Sequence, residues 1–173
     1  MTEGNDYPVL SFVVPGEAVP KGRPRFFVRG GQVRVITPQK TVDYEKRVAA
    51  AARAAVNQLG GWAVGQRVPL ALEVISIHQR PQRLFRIADE GYRAPKTTKP
   101  DADNVLKAVM DGLQRAQLFQ DDSQVASVSC RKFLARILDR REKTTEAPFV
   151  HVTLRVLPAL DELGAENLLT GKA

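Results

Sequence analysis

The chain carries a single cysteine, Cys130, and only two histidines, His78 and His151, in 173 residues. One thiol excludes an internal disulfide framework and any zinc site built on cysteine. It also predicts a reducing, cytoplasmic setting. Both histidines fall on segments that read as strands, which disfavours a histidine metal cage or a catalytic triad. No apolar run approaches the roughly 18 residues of a membrane span. The opening MTEGNDYP is polar and acidic, where a secretion signal is basic and then apolar. There is no internal repeat, no low-complexity stretch, no phosphate-binding G-x-x-x-x-G-K-[ST] and no G-x-S-x-G.

What is present fits one domain. Hydrophobic residues make up 43% of the chain, enough for one core, and 26 Lys and Arg against 19 Asp and Glu leave a formal charge of +7. Such an excess favours polyanionic partners. A first strand is expected at Val9 to Val14, followed by a basic loop and a hairpin whose strands carry Phe26 and Val28, then Val33 and Val35. Gly30-Gly31 can make its tight turn. Thr37-Pro38 looks like a helix opening, a capping hydroxyl before an initiating proline. Tyr44, Val48, Ala52, Ala55 and Leu59 then recur at helical spacing up to Gly60-Gly61.

Leu70 to Ile77 is apolar on both faces, as in a central strand. A polar loop from Gln79 to Lys99 follows, and a second helix is predicted from Asn104 to about Ala116. Two further strands, Ser123 to Leu134 and Pro148 to Leu157, are plausible hairpin partners across the link between them. The fold class expected is α/β of the α+β type. It is a single compact domain over 1–173 with its core at about 9–157, a mixed or antiparallel sheet, two main helices, and a tail from 158 to 173.

The most informative segment is KPDADNVLKAVMDGLQRAQLFQDDSQV, residues 99 to 125. Asp101 and Asp103 stand two apart at a helix entrance, Lys107 lies one turn beyond Asp103, and Asp121 and Asp122 follow the helix before a strand. The returning strand makes an approach of Asp122 to the Asp101/Asp103 pair reasonable. Gathered carboxylates repel one another unless a cation sits among them, and hard oxygen ligands suit Mg2+ or Mn2+. A structural reading stands beside this one: Asp103 as a helix cap, Asp103 with Lys107 as a surface ion pair, Asp121-Asp122 as a solvated turn. A calcium loop starting at Asp101 would need Gly at its sixth position and Glu at its twelfth, where Leu106 and Gly112 stand. A D-x-D phosphatase would want an apolar strand just ahead, where Thr97 to Pro100 is polar.

At these residues the chain resembles the RusA family of Holliday-junction resolvases. The likeness rests on KPDADNVLKAVMDGL and the DDSQV turn, with weaker support from VPKGRPRF, and spans about Val9 to Leu157. The resemblance implies a homodimer that cuts four-way DNA junctions with Mg2+ or Mn2+. It implies Asp101, Asp103 and Asp122 as metal ligands and Lys107 as a catalytic lysine. The basic loop ahead of Asp101 is longer than in the shortest members, so sequence preference does not carry over.

Two basic clusters flank the acids and are the expected DNA contacts: Lys21, Arg23, Arg25, Arg29 and Arg34 first, then Arg80, Arg83, Arg86, Lys96 and Lys99. Phe85 and Tyr92 either stack on unpaired bases or bury against the domain. The functional expectation is a cytoplasmic endonuclease acting on branched DNA in recombination and repair, without membrane association. Two alternatives remain: a non-catalytic nucleic-acid-binding module, which would bind salt-sensitively without cutting, and a metal-dependent phosphodiesterase acting on RNA or small nucleotides.

Overall fold

The computed structural model describes residues 8–65, 67–86 and 91–158, and leaves the side chains of Arg25, Arg29 and Arg86 outside the described set. The predicted tail therefore lies outside the described residues. The elements run β1 (Val9–Pro15), β2 (Arg25–Arg29), β3 (Gln32–Ile36), α1 (Gln39–Leu59) and β4 (Leu70–His78). A short 3-10 turn (Gln82–Arg86), α2 (Ala102–Arg115) and a second 3-10 turn (Asp122–Gln124) follow. The chain closes with β5 (Val125–Leu134), β6 (Ile137–Asp139), β7 (Thr144–Thr145) and β8 (Phe149–Val156).

The main sheet is mixed, in the order β1-β8-β4-β5. β8 pairs antiparallel with β1 and with β4, while β5 lies parallel to β4. The parallel pair follows from the crossover: α2 lies between β4 and β5 in sequence and carries the chain back to the same end. The anticipated hairpin between the last two long strands is thus not formed. β4 separates β5 from β8, and the link between them folds into its own small ribbon, β6 with β7.

Strand alternation sorts the two faces. Leu10, Phe12 and Val14 from β1, Leu72 and Val74 from β4, and Val150, Val152 and Leu154 from β8 enter one core. There they meet Tyr44, Val48 and Ala52 of α1 and Val105, Val109 and Leu113 of α2. The opposite face is mixed: exposed Val9 and Val13 and buried Ala71 and Ile77 stand beside a polar group in which Ser11 Oγ is 2.9 Å from His151 Nε2 and Arg131 pairs with Glu73. The predicted stripe of α1 holds for its first three members; Ala55 is half-buried and Leu59 is 50% exposed where the helix outruns the core. Pro38, not Thr37, is the N-cap of α1, with no side-chain cap bond. The hairpin forms as expected, and Gly30 and Gly31 both take positive φ (61° and 76°), which a two-residue loop of this kind requires.

Gly112 fixes how closely the helices approach. A Cβ there would lie 2.6 Å from Val48 Cβ, so only glycine lets α2 sit this near α1. That contact seats the helix whose first turn bears Asp101 and Asp103.

Candidate active site

The chain reaches α2 through Thr97-Thr98-Lys99-Pro100, with a cis Lys99–Pro100 peptide. Asp101 is the N-cap of α2 in extended backbone conformation, yet its side chain makes no capping bond. Asp103 occupies the first turn and Lys107 lies one turn further on; all three are exposed. Among the described residues, neither aspartate's carboxylate takes part in a hydrogen bond or an ion pair, although the Asp101 carbonyl accepts from Val105 N–H at 3.2 Å, and Lys107 forms no salt bridge with Asp103. The structural reading of these residues as a cap and a surface pair therefore fails. Two carboxylates two residues apart thus stand without a side-chain partner, where the helix N-terminus contributes about half a positive charge.

The entrance is held from β5. Lys132 Nζ donates to the carbonyls of Thr98 (3.0 Å) and Pro100 (2.6 Å), directly ahead of Asp101. Lys132 was absent from the residues singled out by sequence, since a lone lysine in a strand carries no motif. Neighbouring charge confirms the proximity. Burial pushes the Cys130 thiol up, the Lys132 ammonium opposes the rise, and the Asp103 carboxylate adds to it.

Asp122 is elsewhere. Because β5 runs back along α2, the end of the strand near Lys132 meets the helix entrance, and its beginning lies at the far end. The seven steps from Val125 to Lys132 span about 23 Å at about 3.3 Å each. Asp122 opens the turn before β5, exposed, beside Gln124, whose Nε2 donates to Gly65 O at 3.2 Å. The Ser123 hydroxyl, together with the Ser123 N–H that donates to Asp121 at 2.8 Å, holds the Asp121 carboxyl below the usual range. The expectation that the returning strand brings Asp122 to the pair is thus not met within one chain. Among the described residues no three Asp, Glu, His or Cys side chains converge into a cage. The donor set still fits a hard divalent cation: two unpartnered carboxylates two residues apart at the N-cap and first turn of α2, with no soft ligand between them.

The basic residues divide. Arg80 is 2% exposed and donates through Nε to Ala135 O (2.8 Å) and through Nη2 to Tyr92 O (3.1 Å). It ties the loop after β4 to the strand after β5, so its expected role as a DNA contact is corrected to a structural one. Lys21 is likewise committed, with Nζ 2.7 Å from Glu45 Oε1 and paired also with Asp111 of α2. Arg115 closes that cluster on Glu45 at 3.1 Å. The physical reason is the same for both residues: a cation beside buried acceptors serves them before solvent. Arg23, Arg34, Arg83 and Lys99 are exposed and Lys96 is half-buried. Phe85 is buried at 8%, whereas Tyr92 stands 57% exposed. His78 is buried, bonded to Ser76 Oγ at 3.1 Å, and burial pushes its pKa down; it is structural.

The uncharacterized protein YqaN of Bacillus subtilis (strain 168) is 32% identical over 155 residues, covering 87% of this chain and 98% of that protein. Residues 15–153, which include both strands and the helix that frame the acids, match the family model of the endodeoxyribonuclease RusA. The chain therefore belongs to the RusA family of endodeoxyribonucleases.

Proposed function

We propose that this protein is a structure-selective endonuclease that resolves four-way DNA junctions by Mg2+- or Mn2+-dependent hydrolysis, acting as a cytoplasmic homodimer in recombination and repair. The observation that carries this reading is the exposed, unpartnered Asp101/Asp103 pair at the entrance of α2. Two such carboxylates bind a divalent ion, which when bound would activate water and polarise the phosphodiester. Lys107, exposed on the same helix face, neutralises charge developing on the phosphate. Lys132 keeps the entrance in place by holding two of its carbonyls. Exposed Arg23, Arg34, Arg83 and Lys99, with Lys96, supply contacts to the DNA backbone.

The position of Asp122 supports the homodimer reading. A third carboxylate would reach the pair from a second copy, and β5 offers a route. It is an edge strand whose outer side, among the described residues, is bonded only at its end, where Lys96 N–H donates to Lys132 O and Leu134 N–H donates to Ala94 O. By strand alternation the N–H and C=O of Ala126, Val128 and Cys130 point the same open way. Antiparallel pairing of this edge with its copy, about a dyad at Val128, carries Asp122 of the partner subunit toward Asp101 and Asp103. Val128, 50% exposed, packs at that dyad. Two sites related by a two-fold axis also match a junction that needs two symmetric cuts.

The test uses a labelled four-way junction with Mg2+ and with chelator. Wild type makes paired nicks only with the metal, and Asp103→Asn and Asp122→Asn each abolish them. Mixing the two inactive proteins restores one intact site per heterodimer if the site is shared, and none if it is not. An Asp103→Asn protein that cuts at the wild-type rate ends the catalytic assignment.

A further inference from the structure

Immediately before the acidic entrance, the loop after β4, the segment leading to α2 and the end of β5 enclose a cavity of about 310 Å³. Its construction differs from a simple phosphate contact. Leu84, Leu134 and Pro95 give it an apolar floor, while Arg83, Lys96 and Thr97 stand at its rim. Among the described residues, no carboxylate forms an ion pair with Arg83 or Lys96; Lys96 Nζ reaches only Thr98 Oγ1, at 2.8 Å. Burial, and then the adjacent Lys132 ammonium, push the Lys96 pKa down, and the Glu17 carboxylate opposes them from a distance without forming an ion pair. Arg80 fixes the inner wall through its bonds to Ala135 and Tyr92, which makes the cavity part of the fold and not a gap between mobile loops.

We infer that this cavity receives one unstacked nucleotide of the DNA strand next to the cut, its base on the Leu84–Leu134 floor and its phosphate at Lys96 and Arg83. The reading rests on the nuclease function proposed above and gives that function a source of branch selectivity. A base needs an apolar surface and a few polar groups at its edge, which Thr97 and the backbone of the loop provide. A duplex is too wide to enter, whereas a single nucleotide is not. Thr98 is three residues from Asp101, a reach of at most about 10 Å, so the bound nucleotide lies close to the scissile phosphate. Unstacking costs least where pairing is already broken, and a branch point is such a place. An intact duplex would have to break its own stack to fill the cavity, and is cut poorly for that reason.

The experiment places 2-aminopurine singly at each of the three nucleotides on either side of the cut, in a junction and in a matched duplex. Fluorescence is read with the full chain in chelator, and cleavage in parallel with Mg2+ or Mn2+. A several-fold rise at one junction position and none in the duplex is expected. Leu84→Trp, which fills the floor, should remove the rise and slow junction cleavage at least tenfold. Thr97→Phe, at the exposed rim, blocks the same space if Leu84→Trp melts early. Lys96→Ala and Arg83→Ala should weaken the rise. Quenched probes at every position, or a folded blocking variant that cuts at the wild-type rate, would overturn the inference while leaving the nuclease intact. A rise without any cleavage by wild type would instead leave the cavity standing and sink the nuclease reading.

Discussion

Replacing Gly112 by alanine sets two known effects against each other at the contact that seats α2. Alanine in a helix interior is better than glycine by about 1 kcal/mol. Against this, the new Cβ would meet Val48 Cβ at 2.6 Å, Val48 Cγ1 at 2.7 Å and the Glu45 carbonyl oxygen at 3.0 Å. Carbon atoms prefer roughly 3.5–4.0 Å, so α1 and α2 must separate by about 1 Å. Neither a Cβ nor a backbone carbonyl can swing aside, which puts the strain near the upper part of the roughly 1–3 kcal/mol typical of overpacking. The net expectation is a loss of about 1–2 kcal/mol. For a chain of this size each kcal/mol moves the midpoint by roughly 2–4 °C, so melting should fall by about 2–8 °C. Thermal unfolding followed by circular dichroism measures it. Adding Val48→Ala removes one of the three contacts, so the double variant should lose less than the sum of the singles. A Gly112→Ala protein melting at or above wild type would refute the close approach, because propensity alone would then have decided the outcome.

Two further outcomes follow from the loops that frame the site. Lys132→Met removes the bonds to Thr98 and Pro100, and the metal concentration for half-maximal junction cleavage should rise by about 10- to 100-fold, as for other groups that orient ligands. Lys132→Arg should recover most of that loss, and an unchanged metal midpoint in the methionine variant would remove Lys132 from the site. Glu146 accepts both arms of Arg93 at 2.7 Å, and Arg93 together with Arg136 holds its carboxyl below the ordinary value of 4.5. A depressed folded pKa contributes stability that is present above the unfolded value and lost as pH falls through the folded one. Stability measured by urea titration should therefore decline from about pH 4.5 downward, and Glu146→Gln should flatten that decline while costing about 2 kcal/mol at neutral pH. Equal pH slopes in the two proteins would show that the cluster does not stabilise the fold.

Much of the architecture was legible because it rests on local rules. Apolar alternation marked β1 and β8, helical spacing marked α1 and α2, and Gly30-Gly31 marked a hairpin turn that the structure reproduces. The D-x-D at a helix entrance, with a lysine one turn on, was visible as a candidate metal site without any coordinates. The structure added that these carboxylates have no competing partner. What failed depended on how distant segments meet. Arg80 and Lys21 looked like solvated basic residues because sequence does not reveal that Ala135 O, Tyr92 O, Glu45 and Asp111 converge on them. Lys132 went unnoticed because its partners are backbone carbonyls some thirty residues away.

Residue type and spacing along single segments were enough for the long strands, the hairpin and the two helices, for the basic character and for the acidic motif, whereas the small β6–β7 ribbon was not foreseen. Only the tertiary structure decided the order of strands, with β4 inserted between β5 and β8, and hence the direction in which β5 returns along α2. That direction separates Asp122 from Asp101 and Asp103 by about the length of a strand. Three aspartates close in sequence are therefore split between the two ends of one domain, because a strand brings its far end, and not its beginning, back to where the helix started.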